Sequence, residues 1–143
     1  MRYRVFLDTN ILISGVFFEG NESKILEMAE IDLITSQDVV EELKKVTIKK
    51  LKYLGERSLE IALSELESAL TDIEILPRAK YIRKMEMAGR LINHQKEIPI
   101  LAAVLAAKPD LFITGDSHFF TARVKSVVTV KNSKEFLSTI QEV

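Results

Sequence analysis

A chain of 143 residues can hold one domain with a full hydrophobic core and is too short for two comfortable ones. Hydrophobic residues at 47% and charged residues at 29% exclude wholesale disorder, and the lack of cysteine excludes disulfides, thiolate metal sites and cysteine nucleophiles. With 20 basic and 21 acidic side chains the net charge is −1, no direct sign of nucleic-acid binding, and no apolar stretch approaches a membrane span or signal-peptide core. A protein of the reducing cytoplasm, with no membrane association, is therefore expected.

In chain order, Tyr3–Leu7 predicts a buried strand that ends at Asp8. Asn10 to Phe18 begins a helix, and Ser23 to Ile31 continues one with Ile25, Leu26, Met28 and Ala29 as its apolar positions. Leu33–Thr35 is a second strand. Ser36 then suits the N-cap of a helix running to about Leu43 or Val46, with Asp38 in its first turn. Leu59, Leu63, Leu66 and Leu70 repeat at helical spacing, and Ile73–Leu76 is a strand closed by Pro77.

Further along, Tyr81 to Asn93 reads as an amphipathic helix and Glu97 to Ala107 as a strongly apolar one, with Pro99 tolerable only near its first turn. Lys108-Pro109-Asp110 is a turn into the strand Leu111–Thr114, which leads to Gly115-Asp116. Val127–Val130 is a last strand and Ser133–Ile140 a closing helix. Strands separated by helices imply crossover connections and a mainly parallel sheet covered on both faces, a three-layer α/β/α architecture in a single domain over residues 1–143.

Ligands of an open parallel sheet collect beyond the carboxyl ends of its strands. Asp8 follows the first strand, and Asp116 follows the Leu111–Thr114 strand after one glycine, so two carboxylates can share a crevice there. Each would equally serve as the cap of the next helix. On the Ser36 helix, Val39, Val40, Leu43 and Val46 define the buried stripe; Glu42 lies on its flank, whereas Glu41 points nearly opposite. Glu97 opens its helix, where the positive end of the dipole alone would favour an acid. Four acids in one crevice would repel unless a cation neutralised them, and an all-oxygen set selects Mg2+ or Mn2+ over zinc. Asn10, Ser14 and Thr114 are placed to support such a site through water.

These residues also carry a resemblance. Val5-Phe6-Leu7-Asp8-Thr9-Asn10-Ile11-Leu12-Ile13-Ser14 looks like the opening of a PIN domain, a nuclease family found in many toxin–antitoxin pairs. Thr35 to Leu43 resembles its second block, whose functional acid is here Glu42; Lys96 to Ala103 resembles the third, and Leu111 to Asp116 the fourth. The four blocks run in order across about residues 3–130. The resemblance implies metal-dependent hydrolysis of RNA phosphodiester bonds, with Asp8 and Asp116 as primary ligands and Glu42 and Glu97 as further ligands or water-positioning groups. It also implies an antitoxin partner and a homodimer.

Two positions depart from the family pattern: Glu97 stands where an aspartate is usual, and His118 where many members carry a further aspartate. They leave open a weak or inactive PIN-like binding or scaffold module. A phosphatase of the haloacid-dehalogenase type is disfavoured because Asn10 occupies the position of its second aspartate. His118 reads as a structural or surface residue and His94 as uninvolved. The clusters Lys44, Lys45, Lys49, Lys50, Lys52 and Arg78, Lys80, Arg83, Lys84, Arg90 read as solvated helix faces; under the resemblance they would hold backbone phosphates.

Overall fold

The computed structural model describes residues 2–141. Its strands are β1 (Tyr3–Leu7), β2 (Ile31–Ser36), β3 (Glu74–Leu76), β4 (Leu111–Ile113) and β5 (Val130–Lys131), all parallel, in the order β3-β2-β1-β4-β5. The helices are α1 (Thr9–Phe17), α2 (Asn21–Leu26), α3 (Gln37–Lys49), α4 (Leu59–Leu70), α5 (Met85–Leu91), α6 (Ile98–Ala107), α7 (Ala122–Lys125) and α8 (Ser133–Gln141). This is the expected α/β/α architecture.

The chain builds outward from β1 to β3, then returns past both to lay β4 on the free side of β1. Right-handed crossovers place the outward and returning helices on opposite faces of the sheet. The reversal of strand order beside β1 opens a crevice at the carboxyl ends of β1 and β4. Val5, Phe6, Leu7, Phe112 and Ile113 are fully buried beneath it. Phe112 meets Phe6 edge-on at 5.6 Å and Phe119 at 4.9 Å, which ties the turn after β4 to the sheet.

Helix α6 is apolar around its circumference and buries every residue from Ile100 to Val104, as a helix packed on several sides must. Truncating Leu101 there would cost about 2–5 kcal/mol in lost burial and cavity formation. Because α6 leads into a parallel strand, its N-terminus is fixed at the same sheet edge as the crevice.

Three segments differ from the sequence expectation. The helix expected over Tyr81–Asn93 is two single 3-10 turns, Arg78–Lys80 and Ile82–Lys84, followed by the shorter α5. Tyr81 is fully buried, takes non-helical dihedrals (φ −128°, ψ 0°), and its hydroxyl bonds Asp38 at the start of α3. That anchor outweighs the helical periodicity. The helix expected over Ser23–Ile31 ends at Leu26, and Ile31 opens β2 opposite Tyr3. Val127 and Val128 do not begin β5; their N–H groups close the end of α7 on Val124 O at 3.1 and 3.2 Å.

Candidate active site

Pairing of Leu7 with Ile113 brings Asp8 level with Thr114 at the sheet edge. Asp8 is the N-cap of α1: Oδ1 accepts from Thr9 N at 2.8 Å, and Oδ2 accepts from the Thr114 hydroxyl at 2.5 Å. The same hydroxyl accepts from Asp116 N at 3.0 Å, and Asp116 Oδ1 accepts from His118 N at 2.9 Å. Both aspartates are therefore caps, and both also face the crevice. Capping fixes one oxygen and thereby aims the carboxylate.

Asp8 is only 4% exposed. Burial pushes its carboxyl up to about 6, against the lowering effect of the Thr114 and Thr9 hydrogen bonds, and the charges of Glu42 and Asp116 push the same way.

Ser36 caps α3 by accepting from Val39 N at 3.2 Å, and Val39 and Leu43 fix the helix phase by full burial. Glu42 is consequently half-buried at the crevice while Glu41 is exposed and pairs with Arg78 at 2.5 Å. The Glu42 carboxyl lies above its ordinary range, chiefly through burial and further through the charges of Glu97 and Asp116; Thr9 and Lys96 oppose this. Thr9 Oγ1 favours the charged form of Glu42 by proximity, since that buried atom makes no hydrogen bond of ordinary geometry.

Glu97 sits at the N-cap position of α6 with helical dihedrals (φ −86°, ψ −17°), yet its side chain makes no capping bond. Helix capping therefore does not account for its carboxylate, which is 17% exposed, lies 3.7 Å from His118 Nδ1 and acts by its charge on Glu42.

The charges of Glu42 and Asp116 act on Asp8, and those of Glu97 and Asp116 act on Glu42, so Glu42 links the four acids. Two of them are held above their ordinary ionisation range by burial and like charge, a state a bound cation relieves. The donors are all oxygens, so the set fits a hard divalent ion such as Mg2+ or Mn2+. Thr114 supports the site by direct bonds to Asp8 and Asp116. Asn10 and Ser14 do not touch the acids through hydrogen bonds among the described residues; with Gly115, Asn132 and Lys134 they line a neighbouring groove of about 280 Å3.

His94 and His118, set aside on sequence, lie at the rim. Their rings stack at 3.4 Å between centroids and 18° between planes, and His118 Nδ1 is 3.1 Å from Asp116 Oδ1 and 3.7 Å from Glu97 Oε1. The spacing His94-x-x-Glu97 was a local signal. That His118 joins it depends on the sheet, which sequence spacing does not reveal.

Basic side chains approach from α3. Lys45, Lys49 and Lys96 line a groove of about 530 Å3 that contains Glu42. Arg78 is committed to Asp38 and Glu41, and Arg90 to Glu86, so the second basic cluster is partly neutralised within the fold.

A five-stranded parallel α/β/α sheet with acids at its switch point is the arrangement the resemblance to a PIN domain implies. The PIN-domain profile matches residues 6–140, and the chain belongs to the PIN-domain family of nucleases. Among solved structures it is similar to VapBC2 of Rickettsia felis bound to a promoter DNA fragment, with TM-score 0.68 and 19% identity over 90% of this chain and 98% of that one. It is also similar to VapBC-1 of nontypeable Haemophilus influenzae (TM-score 0.66, 16% identity, 92% and 98% covered) and to a toxin–antitoxin complex of Klebsiella pneumoniae (0.65, 17%, 90% and 97%). At these identities the likeness establishes the fold. A search of curated proteins finds no match.

Proposed function

We propose that this protein is a Mg2+- or Mn2+-dependent endoribonuclease and the toxin component of a toxin–antitoxin pair, acting as a single domain in the cytoplasm. The observation that carries the reading is the buried Asp8 carboxylate, bonded by Thr114 and facing the charges of Glu42 and Asp116. Asp8 and Asp116 would hold the ion, with Glu42 and Glu97 as further ligands or as groups that position water. When bound, the ion supplies charge neutralisation at the scissile phosphate and a lowered pKa for the attacking water. The chain's own part is positioning: Thr114 fixes Asp8 and Asp116 together, and the α1 and α3 caps hold Asp8 and Glu42 against the sheet. Lys45, Lys49 and Lys96 draw the RNA backbone toward the acids.

The similar solved complexes support an antitoxin partner. Exposed Ile48, Tyr53 and Ile61 supply apolar surface for it or for a homodimer, which light scattering with and without the neighbouring gene product would resolve. The reading is tested by Asp8→Asn and Asp116→Asn. Each is expected to reduce Mn2+-dependent cleavage of single-stranded RNA at least about a hundredfold, with the circular dichroism spectrum unchanged. Full cleavage by both variants would sink it.

A further inference from the structure

The two departures from the family pattern, Glu97 and His118, meet in space, and His94 joins them. One ligand atom from each of His94, Glu97 and His118 lies within 4.8 Å of the others. The backbone prepares this set. Glu97 N and Ile98 N both donate to His94 O, at 3.0 and 3.2 Å, so a single turn holds His94 and Glu97 on one side. His118 arrives on the turn after β4, fixed by its N–H bond to Asp116 and by Phe119 buried beneath it. His118 Nδ1 lies 3.1 Å from Asp116 Oδ1 and 3.7 Å from Glu97 Oε1, so this nitrogen faces both carboxylates. His118 Nδ1 is closed to solvent and makes no hydrogen bond of ordinary geometry.

We infer that His94, Glu97 and His118 form a metal site for a zinc-class transition ion that shares Glu97 with the all-oxygen set beside it. Two imidazoles and one carboxylate favour Zn2+, Co2+ or Ni2+ and disfavour Mg2+. Donors about 2.1 Å from a tetrahedral ion lie about 3.4 Å apart; because imidazole lone pairs lie in the ring planes, closing the set requires the stacked His94 and His118 rings to rotate apart as well as to move by about 1 Å. The rings have room for it, because His94 is exposed and His118 is 41% exposed. A fourth position remains for water or a phosphate oxygen. It opens on a groove of about 400 Å3 lined by Asn93, His94, His118, Thr121 and Arg123. Binding in the absence of RNA reads this site separately from the proposed nuclease activity, with which it shares Glu97.

The test uses the untagged, EDTA-treated and dialysed protein. Zn2+ affinity is measured by competition with a chromophoric chelator, and Co2+ binding by its visible d–d absorption. With Mg2+ in large excess to occupy the carboxylates, the wild type is expected to bind one high-affinity equivalent of each, with Asp8→Asn within about threefold of it. His94→Ala and His118→Gln are each expected to weaken Zn2+ binding at least about tenfold and to lose the Co2+ bands. His94 is exposed, so its variant tests the site without disturbing the core. Equal affinity in wild type and both histidine variants overturns the inference. So does loss in Asp8→Asn alone, which would put the ion among the carboxylates. Retained RNA cleavage by Asp8→Asn would instead count against the nuclease reading and leave this site standing.

Discussion

Asp8 accepts hydrogen bonds from Thr9 N–H and the Thr114 hydroxyl, yet burial at 4% exposure pushes its carboxyl from an ordinary 3.8 up to about 6. Between about pH 4 and 6 the folded state keeps a proton that the unfolded chain has released. The associated stability is full below the lower value and is lost as pH rises through the upper one, a change of roughly 3 kcal/mol. Asparagine cannot ionise. In EDTA, the stability of Asp8→Asn relative to wild type is therefore expected to rise by most of that amount, about 2 kcal/mol, between pH 4 and pH 7. Chemical denaturation at the two pH values checks it, and a difference independent of pH would contradict the burial argument. Thr114→Val keeps the shape but removes the donor to Asp8 and the acceptor for Asp116 N. Losing a buried bond to a charged group should destabilise the fold by about 1–3 kcal/mol. It should also move the onset of Mn2+ binding to higher pH, because that bond lowers the Asp8 carboxyl; calorimetric titration across pH 5–8 reads the shift.

At the scale of elements, helix ends set the site and also store a little strain. Lys108 ends α6 in the left-handed region (φ 48°), where its N–H bonds Val104 O at 3.0 Å and Arg4 bonds Ala107 O at 2.8 Å. Glycine adopts that conformation without steric cost. Lys108→Gly is expected to raise stability by up to about 1 kcal/mol, less the entropy glycine adds to the unfolded chain, and thermal melting would show a higher midpoint. The elements legible in sequence were those whose own residues dictate them: the apolar β1, the Ser36-capped α3, and α6. Less legible were those decided by a distant partner. Tyr81 leaves its helical pattern because α3 holds its hydroxyl, and β5 begins late because Val127 and Val128 close α7. The same division runs through the site. Asp8, Asp116 and Glu42 follow from strand ends and helix phase, and Thr114 from its place beside Asp116. The His94–His118 stack required the tertiary structure, since 24 positions separate its members.

Over the whole molecule, a net charge of −1 conceals a directional arrangement. Glu42, Lys45 and Lys49 share one face of α3, so the helix carries a basic track away from the acidic crevice, with Lys96 on the facing wall. Lys45 and Lys49 are exposed and form no ion pair among the described residues, whereas Arg78 closes on Asp38 and Glu41 at the end of the same groove. Free lysines beside a cleft are available to phosphates; paired ones are not. If RNA follows this track, each lysine that meets a phosphate releases counterions, and for a single strand the logarithm of affinity falls with the logarithm of salt by about 0.7 per contact. In the Asp8→Asn background, which under the proposed function binds without cleaving, Lys45→Ala with Lys49→Ala is expected to reduce that slope by about 1.4. Binding should weaken uniformly across RNA sequences, because backbone contacts position the strand without reading it. Lys50→Ala with Lys52→Ala, taken from the same cluster but outside the groove, should leave the slope unchanged. Equal slopes for both pairs would mean that the α3 lysines form a solvated face and that the strand enters the crevice from another side.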